Sequence, residues 1–348
     1  MSALNLQDVL LSVKDKIIEE LTSAGVPRYT SSRYASLERI FEAQNTSDIW
    51  VAYSRRHPSK RVIIKAPSNE VVKALVLQLQ QQSPTNFESK ILSVLLSYYR
   101  HECGSWRKPG KCEYIVPLYG FTRIFEGSLL PALIVRYVPA GDLPYFLHTK
   151  VLPEKSKLKL LLDVAQALEY LHARDVEGIR LWRSHIRLEE RSGGELKALI
   201  CNFGSSSFIL NASDDLQSIA RKEGSAIAYR SPEFYRSSSS LRDPRILQNQ
   251  ASQTDMWSFG CLFSEVMQED DVWGDADPDE IGTSLEKGEH PPAPSDKVVH
   301  PLLDNCARSI KAEYWSLILS CWEVNPERRI TAKEMRKRLQ SLYDNFQY

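Results

Sequence analysis

The chain is predicted to be an α+β protein in which a strand-rich first part precedes a mostly helical second part. Short runs of aromatic and β-branched residues fall between Ser36 and about Lys65, and again at ALIVRYV, residues 132–138. From residue 154 onward, long apolar patterns of helical period replace them. With 348 residues, 43% of them hydrophobic, there is enough chain to bury a core in each part.

The elements follow in order. Residues 5–25 carry apolar side chains at Leu6, Val9, Leu10, Val13, Ile17, Ile18 and Leu21, an amphipathic helix stopped by Gly25 and Pro27. Such a helix has to bury its stripe, and docking on its own chain is the expected outcome. IWVAYS and RVIIKA, separated by RRHPSK, read as two strands and a connection. A helix is expected around Asn86–Tyr99, then strands at IVPLYGF and ALIVRYV. After PAGDL the pattern turns helical, first over 154–174, then around Asp255–Met267, Ala312–Trp322 and Thr331–Tyr343, where Thr331 and Glu334 fit a capping box. These readings divide the chain into an N-terminal helical extension (1–35), a small lobe (36–138) and a large lobe (139–348).

Composition narrows the function classes. Lys+Arg and Asp+Glu both total 44, so no net charge draws the chain to nucleic acid or an anionic membrane. No run reaches the roughly 20 apolar residues of a membrane span, and the N-terminus lacks the basic start and apolar run of a secretory signal. Six irregularly spaced cysteines do not suggest a disulfide framework, so a cytoplasmic or nuclear location with reduced thiols is expected. Cys103 and Cys112, with His101 ahead of them, lack the short spacing and fourth ligand of a metal clip and read better as flanking a loop. No metal site is expected.

Several motifs then converge. TDMWSFGCLFSEVM at 254–267 resembles the central helix of the protein kinase large lobe. AYRSPEF at 228–234 resembles the segment ending in Ala-Pro-Glu, with Ser231 in place of alanine. CWEVNPERRIT at 321–331 resembles the end of tyrosine and tyrosine-kinase-like kinase domains. In this order and spacing the chain resembles the eukaryotic protein kinases over roughly residues 36–345. The resemblance implies a two-lobe fold, with a small antiparallel-sheet lobe bearing one main helix and a larger helical lobe. It further implies an ion pair between Glu233 and Arg329, and Asp255 holding the catalytic-loop backbone from beneath.

Phosphoryl transfer depends on positioning and electrostatic stabilisation, and the resemblance shows which residues would supply them. Lys65, in VIIK, matches the nucleotide-site lysine, and Glu88 is the expected partner. Val135, Tyr137 and Val138 would line the cleft, together with Ile63 where the family has alanine. Filling that wall with extra carbons costs about 1–3 kcal/mol, enough to weaken ATP roughly tenfold or more. The three glycine positions of the phosphate loop fall on Glu42, Gln44 and Ser47, and no glycine occurs between Gly25 and Gly104. A Cβ at these positions obstructs the close approach of backbone to phosphate. Asn202 stands at the metal-binding aspartate, where hard Mg²⁺ wants a carboxylate. Aligning RSHIRLEE puts His185 at the catalytic base and Glu190 at the metal-binding asparagine, while an alternative register puts 182–184 at the catalytic triplet; neither provides the aspartate.

The expectation is therefore a degenerate active site: a pseudokinase acting as a scaffold or an allosteric partner of another protein, such as an active kinase. ATP is expected to bind weakly at best, and Mg²⁺ to lack its site. The alternative is a divergent kinase phosphorylating Ser, Thr or Tyr of a protein, with Glu190 as an unusual metal ligand. Serines between 202 and 233 would be the phosphorylation sites of an activation segment.

Overall fold

The structure is a computed structural model and describes residues 6–40, 47–107, 112–179, 181–201, 227–236, 250–293 and 311–346. Its two compact units part at Tyr137 and Val138, with Cys112–Ile115 belonging to the second.

The first unit opens with α1 (Leu6–Ser23), which buries Val9, Leu10, Val13, Ile17 and Leu21. The chain then forms β1 (Arg28–Tyr29), β2 (Tyr34–Ile40), β3 (Ser47–Ser54) and β4 (His57–Pro67), followed by α2 (Asn69–Gln82) and α3 (Phe87–Arg107). Two more strands, β5 (Leu118–Thr122) and β6 (Ala132–Arg136), complete a six-stranded sheet ordered β1-β5-β6-β4-β3-β2. All pairings are antiparallel except β1 with β5, so the sheet is mixed rather than purely antiparallel. Strand alternation sorts its side chains. One face gathers Trp50, Ala52, Val62, Ile64, Ala66 and Ile134 with Phe125, whose ring meets Trp50 edge-on at 5.6 Å. The register places Ile49, Val51, Ile63, Lys65, Leu133 and Val135 on the other face.

The helix over 6–23 docks on its own chain, as expected. It packs on α3, and Glu20 and Asp15 pair with Arg100 and Arg123 at 2.8 and 2.9 Å. At Gly120 the backbone comes so close that an added Cβ would lie 2.2 Å from the Pro27 carbonyl oxygen, which accepts from the Phe121 amide at 2.8 Å. Only glycine allows the N-terminal segment to lie down as a parallel edge strand here.

The second unit begins with α4 (Leu143–Thr149), capped by Asp142, whose carboxylate accepts from the Tyr145 amide at 3.1 Å. Next come α5 (Glu154–His172) and the ribbon of β7 (Ile186–Glu190) and β8 (Leu196–Ile200). The described helices that follow are α6 (Pro232–Arg236), α7 (Ala251–Gln268), α8 (Pro278–Lys287), α9 (Ala312–Cys321) and α10 (Ala332–Asp344). From Asp255 to its end, α7 is buried on every side, as an axial helix must be. At Gly260 a Cβ would sit 2.7 Å from Cys321 Cβ and 2.8 Å from Trp322 Nε1. The Cys-Trp pair is thus a packing device: Trp322 meets Trp257 at 6.4 Å and stacks on His290 at 5.6 Å.

Candidate functional site

Lys65 lies in β4, 3% exposed, and donates to the carboxylate of Glu102, which is wholly buried on α3. This corrects the expected pairing, because Glu88 is exposed in the first turn of α3. The two acids are separated by roughly 21 Å along the axis at 1.5 Å rise per residue. Helix α3 runs to Arg107, beyond the expected end near Tyr99, and so carries Glu102 within reach. A signal for it was present. Phe87, Ile91, Leu95 and Tyr98 form a buried stripe that Glu102 continues. An acid on an apolar stripe requires a partner.

The other sequence-predicted residues of this unit sit on the same sheet face. Ile63 pairs with Val135 across β4 and β6, and Lys65 with Leu133. Ile63 is half-buried and Val135 buried. Tyr137 ends the unit, half-buried, and Val138 opens the next, buried. Ser47, the third of the former glycine positions, hydrogen-bonds the Tyr98 hydroxyl at 3.2 Å. Glu42 and Gln44 lie outside the described residues.

In the second unit, Asp255 accepts from the Gly178 amide at 2.9 Å and contacts His172 Nε2 at 3.0 Å. The loop it anchors leads to a 3₁₀ turn at Arg183–His185 and then into β7. His185 is buried at the end of that turn; its carbonyl accepts from the Cys201 amide at 2.8 Å, and its ring meets Trp182 at 5.8 Å. Glu190 is exposed at the far end of β7, opposite Leu196. Asn202 and the serines at 205–225 lie outside the described residues. Among the described residues, no group of three His, Cys, Asp or Glu side chains could hold a metal ion.

Arg183 pairs with Asp271, just after α7, and at 3.5 Å with Glu265 on α7. Glu265 also accepts from the buried Tyr229 hydroxyl and, at 3.2 Å, from the Val272 amide. Burial pushes its carboxyl up to about 7, against the opposing pull of Arg183 and the Tyr229 hydrogen bond. The expected pair of Glu233 and Arg329 is formed, bidentate at 2.5 and 2.8 Å. Arg329 also donates to the Gln253 carbonyl at 3.1 Å and to that of Glu323 at 2.8 Å. Burial works to raise the Glu233 carboxyl, but the Arg329 guanidinium prevails and holds it below the ordinary range.

Comparison with known proteins places these features in a family. Residues 98–339 match the family described as protein tyrosine and serine/threonine kinase. The match begins after β4, so the assignment of Lys65 rests on its partner in the fold. A probable serine/threonine-protein kinase of Dictyostelium discoideum is 26% identical over 232 residues, 66% of this chain and 19% of the relative. The dual specificity protein kinase splA of the same organism is 23% identical over 230 residues, 61% of this chain and 8% of the relative. A putative leucine-rich repeat receptor-like serine/threonine-protein kinase of Arabidopsis thaliana is 30% identical over 165 residues, covering 44% of this chain and 16% of the relative. The chain thus spans a fifth or less of these relatives' own length. With its family match, its mixed-sheet and helical lobes and its Glu233–Arg329 anchor, the chain belongs to the protein tyrosine and serine/threonine kinase family.

Proposed function

We propose that this kinase-family chain is a pseudokinase that works by binding proteins, as a scaffold or as an allosteric partner, and that an active kinase is the first partner to seek. One observation carries the reading. The loop that Asp255 anchors at Gly178 has no Asp or Glu from 178 through Leu188, but holds Arg180, Arg183, His185 and Arg187. A base that orients the acceptor hydroxyl is missing from it, and the position of the metal-binding carboxylate, which lies beyond this loop, is taken by Asn202. Glu190 supports the same reading, being exposed at the strand's far end. The residues present do not fit a metal-bound nucleotide. The zero net charge supports protein rather than nucleic acid as partner, and reduced thiols support a cytoplasmic or nuclear setting.

A second reading, a divergent active kinase, is favoured by the Lys65–Glu102 pair and by relatives named as serine/threonine and dual specificity kinases. Labelled ATP with Mg²⁺ or Mn²⁺, a generic protein substrate and a Lys65→Met control separates the two. Equal background incorporation in both proteins fits a pseudokinase; incorporation abolished by Lys65→Met would sink it.

A further inference from the structure

Where β1 joins β5, the N-terminal segment closes one side of an open groove of about 530 Å³. Arg28–Ser31 line one wall and Thr122–Ile124 the other, all within the first unit. The lining residues include two arginines, Arg28 and Arg123, and the hydroxyl-bearing Tyr29, Thr30, Ser31 and Thr122, with no acidic residue among them; Thr122 is buried and donates to the Ile124 carbonyl at 3.4 Å. Arg28 is exposed and has no ion-pair partner among the described residues. Arg123 holds Asp15 of α1 at 2.9 Å, but both side chains are about half exposed, so solvent weakens the pair and an anion can displace it. The surroundings add positive charge. Arg33 lies over the Tyr29 ring at 4.6 Å, and the Lys14 ammonium is depressed by burial and then by repulsion from Arg123. Several cationic side chains gathered around one groove favour an anion there.

We propose that this groove binds a phosphate monoester carried on an extended segment of a partner protein. Two arginines and the exposed hydroxyls of Thr30 and Ser31 match a tetrahedral dianion, which accepts bidentate hydrogen bonds from arginine. The protein carrier follows from the sheet: among the described residues the two-residue β1 ends the strand order, so its outer edge can extend backbone pairing to an extended chain. The groove is open rather than enclosed, which suits a segment laid across it. Binding moves Arg123 from Asp15 to the phosphate and so releases one ion pair of α1 from the unit it caps. The inference stands whether or not the chain transfers phosphate, because none of these groups belongs to the nucleotide site.

The test uses the full chain and fluorescence anisotropy with a degenerate phosphoserine peptide pool, its unphosphorylated counterpart, and vesicles bearing phosphoinositides. Saturable binding of the phosphorylated pool alone, competed by inorganic phosphate, is expected. Arg28→Ala weakens it roughly tenfold or more, and Asp15→Asn, which frees Arg123, tightens it several-fold. Arg28 is exposed, so an unchanged melting temperature shows that its variant folds. Equal binding of the unphosphorylated pool, binding to vesicles alone, or affinity indifferent to both substitutions overturns the proposal.

Discussion

Replacing Glu102 by alanine leaves the Lys65 ammonium in a site where 4% of its side chain reaches solvent, with the paired carboxylate removed. The intact pair is itself of modest net value, because two charges have given up water to form it. Removing one partner is different: the remaining charge stays buried with this carboxylate gone, which costs about 3–5 kcal/mol. Glu88 provides the control, since an exposed helix-terminal acid contributes within about ±0.5 kcal/mol. In urea titrations followed by circular dichroism, Glu102→Ala lowers the midpoint with little change in slope, and Glu88→Ala leaves it in place. The double variant Lys65→Met/Glu102→Leu recovers much of the loss, because two apolar side chains of similar length replace the buried charges. Equal effects of Glu88→Ala and Glu102→Ala, or no effect of either, would refute the assignment of Glu102 as the lysine's partner.

Three further outcomes follow from packing and charge. Gly120→Val forces a Cβ to within 2.2 Å of the Pro27 carbonyl, so β1 lifts from β5; the cost is about 1–3 kcal/mol, read as faster amide exchange at Phe121 and easier proteolysis after α1. Arg329→Ala leaves the Glu233 carboxylate without its guanidinium, though the Thr254 hydroxyl still donates to it at 3.3 Å, and costs about 3–5 kcal/mol in thermal or urea unfolding, whereas an exposed arginine such as Arg338 is replaced nearly without loss. Glu265, raised to about 7 from an unfolded value near 4.3, is protonated in the native state where the unfolded chain is already ionised. Its contribution is therefore full below about pH 4 and lost as pH rises through about 7. Unfolding midpoints of the native protein should decline from pH 5 to 8 relative to those of Glu265→Gln, and parallel profiles would contradict this.

The fold was legible because its signals are redundant. Helix α7 combines an apolar sequence with Asp255 near its start and Gly260 against Cys321, and the Glu233–Arg329 pair falls where the motifs imply. The N-terminal helix was legible from its stripe alone, although only its burial on α3 names the docking face. Helix α2 was not read: NEVVKALVLQLQQQ follows a strand directly, and its polar end dilutes the period. Glu102 was missed for a different reason. The apparent helix end near Tyr99 hid the last turns of α3, and burial of a charge is not a property of local sequence. The loop register was also ambiguous on sequence, since RSHIRLEE tolerates two alignments; the Asp255–Gly178 hydrogen bond locates the start of the anchored loop.

The most direct test of the central claim is thermal denaturation of the purified chain with ATP, alone and with Mg²⁺ or Mn²⁺. A ligand that binds only the native state raises its melting temperature. Asn202 stands where the family's metal-binding aspartate would be, so the account predicts no shift that depends on metal. A rise seen only with ATP and a divalent cation together, and lost in Glu190→Gln, would contradict it.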